Sequence, residues 1–342
     1  MTAMCYKVTH YQYKDRIGNL KAEAVGVVSG EKHFPIFPGN MIFKPLTKSK
    51  PFSTPLYAYA EVFWSTVINK YFMPAPQYEL ATCEGYEEVN EKYLDYGTAV
   101  PVAYKEGESL QNLLEFFRKY PDKKVDIDNY VNYCQMFYDY RDIFESEFFQ
   151  KHEQLAMQVL ISVLKGDQNY HYENVAFLCD KEGEIISLAP MIDHEFSTYF
   201  MFPDDVSRHV YWLMELSKTI RGWEVQPGEY DNFKNPEERK LMEKSATCIH
   251  KNLCYIKEHY PQVTEEFRNK AEKLKTALTE TPKDFLIQGS TEYPDHADSN
   301  AWWIGKARYK DKDEEKARTY ESELRGKEKK IDFRDVSISA IN

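Results

Sequence analysis

The chain has no apolar run approaching the roughly 18 residues that a bilayer span requires. Its first sixteen residues, MTAMCYKVTHYQYKDR, lack the apolar core of a secretory signal. Cysteine is sparse, six in 342 residues. Cys5, Cys83, Cys134, Cys179, Cys248 and Cys254 form neither the close pairs of a zinc site nor a short secreted framework. Buried, reduced thiols in a cytoplasmic protein are the expectation. Positive charge is in deficit: 44 lysines and arginines face 55 aspartates and glutamates, a formal net charge of −11. That balance argues against a general nucleic-acid surface, although it allows a local basic patch. Neither a basic amphipathic face for a membrane nor an internal repeat is present.

What is present is material for a core, with 42% hydrophobic and 15% aromatic residues. The length suits a two-lobed enzyme or two modest domains. Residues 1–46 read as strands: 6–13 alternates loosely, 24–28 is β-prone, and 32–37 and 41–46 flank the turn signal Pro38-Gly39-Asn40. Ser29-Gly30 lies between strands, where an ordinary turn and a phosphate-covering turn are both open readings. Tyr57, Glu61, Trp64, Ile68 and Tyr71 recur on one face of a helix. Further strands are expected over 78–82 and 93–104. The polar Lys105-Glu106-Gly107-Glu108-Ser109 reads as a boundary, with Ser109 as N-cap of a helix over 110–120.

Tyr130, Cys134, Phe137, Phe144 and Phe148 suggest an aromatic-rich core helix. Others are expected over 206–221 and 237–260, with a last one capped by Thr264 and carrying Phe267, Ala271, Leu274 and Leu278 on one face. From residue 290 the chain is a charged tail, which Trp302-Trp303 could dock onto the body.

Two places carry the marks of chemistry. Residues 155–164 are apolar almost all round, a helix buried on several sides, and a polar cluster follows: Asp167, Gln168, Asn169, His171, Glu173 and Asn174. The runs 175–179 and 185–189 then flank Asp180-Lys181-Glu182-Gly183-Glu184, a hairpin signal. Antiparallel pairing brings Asn174 and Asp193 to the same end of that hairpin, a donor set suited to a hard cation such as magnesium. The second place is Lys44, a charge inside an apolar strand. It reads either as an edge-strand lysine reaching solvent or as the partner of Glu61, whose carboxylate needs a cation inside an aromatic stripe.

The loop Asn169-Tyr170-His171-Tyr172-Glu173-Asn174 and the turn Pro190-Met191-Ile192-Asp193 resemble the catalytic loop and metal turn of the HipA-like serine/threonine kinases. Their patterns are Asp-x-His-x-x-Asn and Pro-x-x-Asp. The resemblance implies an α+β, two-lobed protein-kinase-like fold. It would have a β-rich N-lobe over 1–105, a helical C-lobe over 106–289 and the tail over 290–342. It implies ATP and Mg2+ as ligands. Lys44, oriented by Glu61, would meet the α- and β-phosphates, with Ser29 and Gly30 in the phosphate loop. Asp193 and Asn174 would hold metal, and Pro101-Val102-Ala103-Tyr104 would be the adenine hinge. A protein substrate and a cognate antitoxin or regulatory protein are the implied partners, with no direct nucleic-acid or membrane binding.

One position departs from the pattern. Asn169 stands where the family has its catalytic aspartate, and an amide cannot act as a base. Asp167 should project differently, and His171 reads as a structural loop residue more readily than as a substitute base. The chain is then an ATP-binding pseudokinase scaffold, or an otherwise active kinase disabled at Asn169. Phosphoinositide kinases share the loop pattern, so a lipid or small-molecule kinase is the enzyme alternative. A structural polar loop in a soluble α+β protein is the bland one.

Overall fold

The computed structural model describes residues 4–7, 11–14, 20–24, 36–37, 41–48, 56–84, 86, 93–101, 108–114, 116, 139–146, 152–165, 167, 170–172, 174–194 and 236–280. They combine small β-sheets with helices. Strands β1 (Met4–Lys7), β2 (Tyr11–Lys14), β3 (Leu20–Ala24), β4 (Ile36–Phe37) and β5 (Met41–Thr47) come first. Ile36 pairs with Ile42 and Phe37 with Met41, antiparallel strands on either side of the turn signal Pro38-Gly39-Asn40. After helix α1 (Leu56–Val67) and a π-helical turn (Ile68–Phe72) come β6 (Glu79–Glu84) and β7 (Tyr93–Pro101). These complete a five-stranded sheet of order β1-β6-β7-β5-β4, antiparallel except where β1 runs parallel to β6. β2 and β3 form a separate hairpin.

In β5 the apolar neighbours Ile42 and Phe43 are both buried, so both faces of the sheet are covered there. Phe43 packs with Ala81, Cys83, Tyr86 and Ala99. The next side chain, Lys44, therefore belongs to the opposite face, since successive strand residues alternate. Gly97 of β7 lies opposite Pro45. A Cβ at Gly97 would sit 2.1 Å from the Lys44 carbonyl oxygen and 2.8 Å from Pro45 Cα. Glycine is what lets the two backbones approach beside Lys44.

The second sheet contains a correction. Ser109–Asn112 is a strand, β8, where a capped helix was expected. It pairs antiparallel with β9 (Ala176–Cys179), which pairs in turn with β10 (Ile185–Leu188). Ser109 is thus a strand residue rather than a helix cap. The reason is tertiary: Leu110 buries against Ala176, Ala189 and Leu178, a partner set that local propensity cannot reveal.

The remaining elements are α2 (Arg141–Phe144), α3 (His152–Lys165), α4 (Pro236–His259) and α5 (Pro261–Glu280). Every residue of α3 from Leu155 to Lys165 is buried. Val263, Phe267, Ala271 and Leu274 of α5 are buried, and α5 packs on α3 and α4. The expected cap at Thr264 gives way to Pro261 as first helical residue. The Thr264 hydroxyl donates back to the Tyr260 carbonyl at 3.4 Å. By contact, the chain divides into two compact units: Met1–Val131 with Tyr172–Phe196, and Asn132–His171 with Ser197–Asn342. The expected elements over 24–28 (beyond Ala24), 206–221 and 290–342 lie outside the described residues, as do the side chain of Leu278, Tyr130, Cys134, Phe137 and Phe148.

Because overpacking against backbone has no flexible neighbour to yield, Gly97→Ala is expected to destabilise the fold by about 1–3 kcal/mol. Chemical denaturation read by circular dichroism checks this; an unchanged midpoint would contradict the close approach of β5 and β7.

Candidate functional site

The β9–β10 hairpin is set by its turn. The Asp180 carboxylate accepts the N–H groups of Glu182 at 3.0 Å and Glu184 at 2.9 Å, and Gly183 takes a φ of 85°. Beyond the strands, Ala189 N–H donates to the Ala176 carbonyl at 2.8 Å, and Leu113 N–H donates to that of Val175 at 2.9 Å. The segments leading into β9 and out of β10 are thereby held at one end of the sheet. Asn174 and Asp193 flank that end, as antiparallel pairing requires. Asp193 adopts φ 63°, the left-handed region where aspartate is among the more tolerated residues.

Three elements of the first unit converge on one ammonium. Lys44 of β5 forms ion pairs with Glu61 of α1 and with Asp193. Glu61 receives a second hydrogen bond, from the backbone N–H of His194 at 2.8 Å. Asp193 N–H donates to the Tyr78 hydroxyl at 3.4 Å. The Tyr78 ring meets the His194 ring edge-on at 5.7 Å between centroids. α1 is covered on more than the one face its spacing suggested. Ala58 to Ser65 are all buried, so Glu61 is almost completely withdrawn from water.

Exposure divides the labour among these groups. The side chains of Lys44 and Asp193 are 23% and 26% exposed, whereas that of Glu61 is 2% exposed. Lys44 and Asp193 can meet a ligand; Glu61 acts only through Lys44. Burial pushes the Glu61 carboxyl above the ordinary glutamate range. Lys44 opposes that push and Asp193 adds to it. Burial also holds the Tyr78 phenol well above its ordinary value, with the Glu61 charge contributing, so it stays protonated.

Asn174 is half-buried in the first unit, at the hairpin end that leads to Asp193. His171 is buried and belongs to the second unit. In that unit the Lys165 ammonium lies 2.8 Å from the Asp167 carboxylate, both almost wholly buried. The Tyr140 hydroxyl donates to the Tyr170 carbonyl at 3.4 Å. Asn169, Ser29, Gly30 and the expected hinge residues Val102, Ala103 and Tyr104 lie outside the described residues. Sequence reasoning missed Tyr78, His194 and Ser65. The signal for His194 was its place after Asp193; nothing local marks Tyr78 or Ser65.

Asp193 and Asn174 offer a carboxylate and an amide oxygen, donors that fit a magnesium ion. No group of three or more His, Cys, Asp or Glu residues that could hold a metal occurs among the described residues. Magnesium does not require one, since it is commonly held by one or two carboxylates together with substrate phosphates. No described helix is long and apolar enough to cross a membrane.

No protein-family model matches the chain, and no curated protein matches it. A crystal structure of a Helicobacter pylori proinflammatory kinase, CtkA, is similar at 14% identity and TM-score 0.42, over 86% of this chain and 98% of that one.

The raised Glu61 value fixes a sign. A carboxyl that holds its proton more tightly when folded contributes stability at low pH, and that contribution is lost as pH rises through its folded value. A glutamine side chain at this position mimics the protonated form. The stability of Glu61→Gln relative to the parent is therefore expected to rise with pH, from the ordinary glutamate range up to the raised folded value. Thermal unfolding of both proteins across that range checks it; a difference independent of pH would contradict the burial of Glu61.

Proposed function

We propose that the chain is a phosphotransferase of the kinase type, binding ATP with magnesium at Lys44, Glu61 and Asp193. One observation carries the reading: a strand lysine is held between a buried helix carboxylate and a partly exposed turn carboxylate. Phosphoryl transfer asks a protein mainly for positioning and charge neutralisation. Lys44, aimed by Glu61, neutralises nucleotide phosphates from the accessible side of its ammonium. Asp193 and Asn174 hold the cation. A magnesium ion held there would supply positive charge against the nucleotide phosphates.

The finer reading is a HipA-like serine/threonine protein kinase, of two lobes, with Ser29 and Gly30 over the phosphates. Its acceptor hydroxyl is oriented at position 169. Asn169 can hydrogen-bond that hydroxyl but cannot take its proton, so transfer by this chain is impaired. The same amide supports a second reading, an ATP-binding pseudokinase that acts as a scaffold.

The test compares transfer from radiolabelled ATP by the chain and by Asn169→Asp, with ATP binding followed in parallel. Restoring the base is expected to raise transfer by about 10²–10⁴-fold. Binding by both forms with transfer by neither favours the scaffold. Absence of ATP binding in both overturns the kinase reading.

A further inference from the structure

We infer that Tyr78 is a positioning residue for Asp193, tying the turn after β10 to α1 by a route separate from Glu61. The inference rests on the nucleotide-site reading above. Helix α1 reaches that turn twice. The first route is direct, from the Glu61 carboxylate to the His194 N–H. The second begins one helical turn later, at the fully buried Ser65. Its hydroxyl donates to the Val62 carbonyl at 3.0 Å and accepts the Tyr78 N–H at 3.1 Å. The Gln77 side-chain amide adds a bond to the Ser65 carbonyl at 3.2 Å. Residues 77 and 78 are thus fastened to α1 just past the π-helical turn.

From that anchor the Tyr78 side chain runs inward, 5% exposed, and its hydroxyl accepts the Asp193 N–H. Two consecutive N–H groups of the turn, those of Asp193 and His194, are therefore each captured by a side chain from the α1–β6 region. Asp193 has a left-handed backbone, which persists in a residue with a Cβ when its surroundings over-determine it. Capture on both N–H groups supplies that determination and directs the carboxylate to Lys44.

Tyr78→Phe keeps the ring and deletes the hydroxyl. In the ligand-free protein, residue-resolved hydrogen exchange at the Asp193 amide is expected to quicken about fivefold to tenfold, the scale of one lost hydrogen bond. The His194 amide should exchange as before. Binding of ATP in the presence of Mg2+ should weaken by a similar factor, while binding of ATP in EDTA stays the same. Unchanged exchange at Asp193 overturns the inference. Equal losses with and without Mg2+ overturn it too, because general loosening would not distinguish the two. If the parent binds no ATP under either condition, the nucleotide-site reading fails. Exchange at Asp193 still decides whether Tyr78 holds the turn. Should Tyr78→Phe fail to fold, Ser65→Ala frees the Tyr78 N–H and is read by the same two measurements, with smaller shifts in the same direction.

Discussion

A carboxylate buried in an apolar helix environment must be given a cation or a proton, and Glu61 is in that position. Removing the partner of a buried charge costs about 3–5 kcal/mol, so the surroundings of such a group are not free to vary. Here they comprise Lys44 on one carboxylate oxygen and the His194 N–H on the other. The strand that carries Lys44 must then come within side-chain reach of α1, and the turn that carries His194 must reach the same point. Much of the first unit follows from satisfying that requirement. β5 sits between β7 and β4, and Gly97 permits a close approach at the lysine's own carbonyl.

The requirement also explains why two carboxylates share one ammonium. Glu61 is too withdrawn to meet anything but Lys44 and backbone, so it orients the ammonium and holds the His194 N–H of the turn. Asp193 stands nearer solvent, where its pairing with Lys44 is accessible. The arrangement is stiff on one side and open on the other, which suits a site that must neutralise an incoming polyanion without rebuilding itself. The β8–β9–β10 sheet supports the open side. It fixes where the chain leaves β10, and the short run to Asp193 has little freedom left.

Legibility in the sequence followed the range of the interaction responsible. Features decided within a few residues were readable. Asp180 to Glu184 announces the hairpin, Pro38-Gly39-Asn40 separates the two strands that pair as β4 and β5, and Pro236 marks the start of α4, whereas the start of α5 was expected at Thr264 and lies at Pro261. The Lys44–Glu61 contact was readable because burying a lone carboxylate is expensive wherever it happens. Features decided by distant partners were not. Ser109–Asn112 is a strand because β9 presents an edge and an apolar pocket for Leu110, and its own composition suits a helix start equally well. Tyr78 and Ser65 look like ordinary core residues; their roles arise only when residues 193 and 194 arrive beside them. Ser29, Gly30 and Asn169 lie outside the described residues.

The most direct measurement is affinity labelling with an acyl-phosphate derivative of ATP, which acylates a lysine lying against the nucleotide phosphates, followed by peptide mass spectrometry. Lys44 is expected to be the principal labelled residue, with labelling suppressed by excess ATP and Mg2+. Labelling spread over surface lysines and indifferent to ATP would contradict a phosphate site at Lys44.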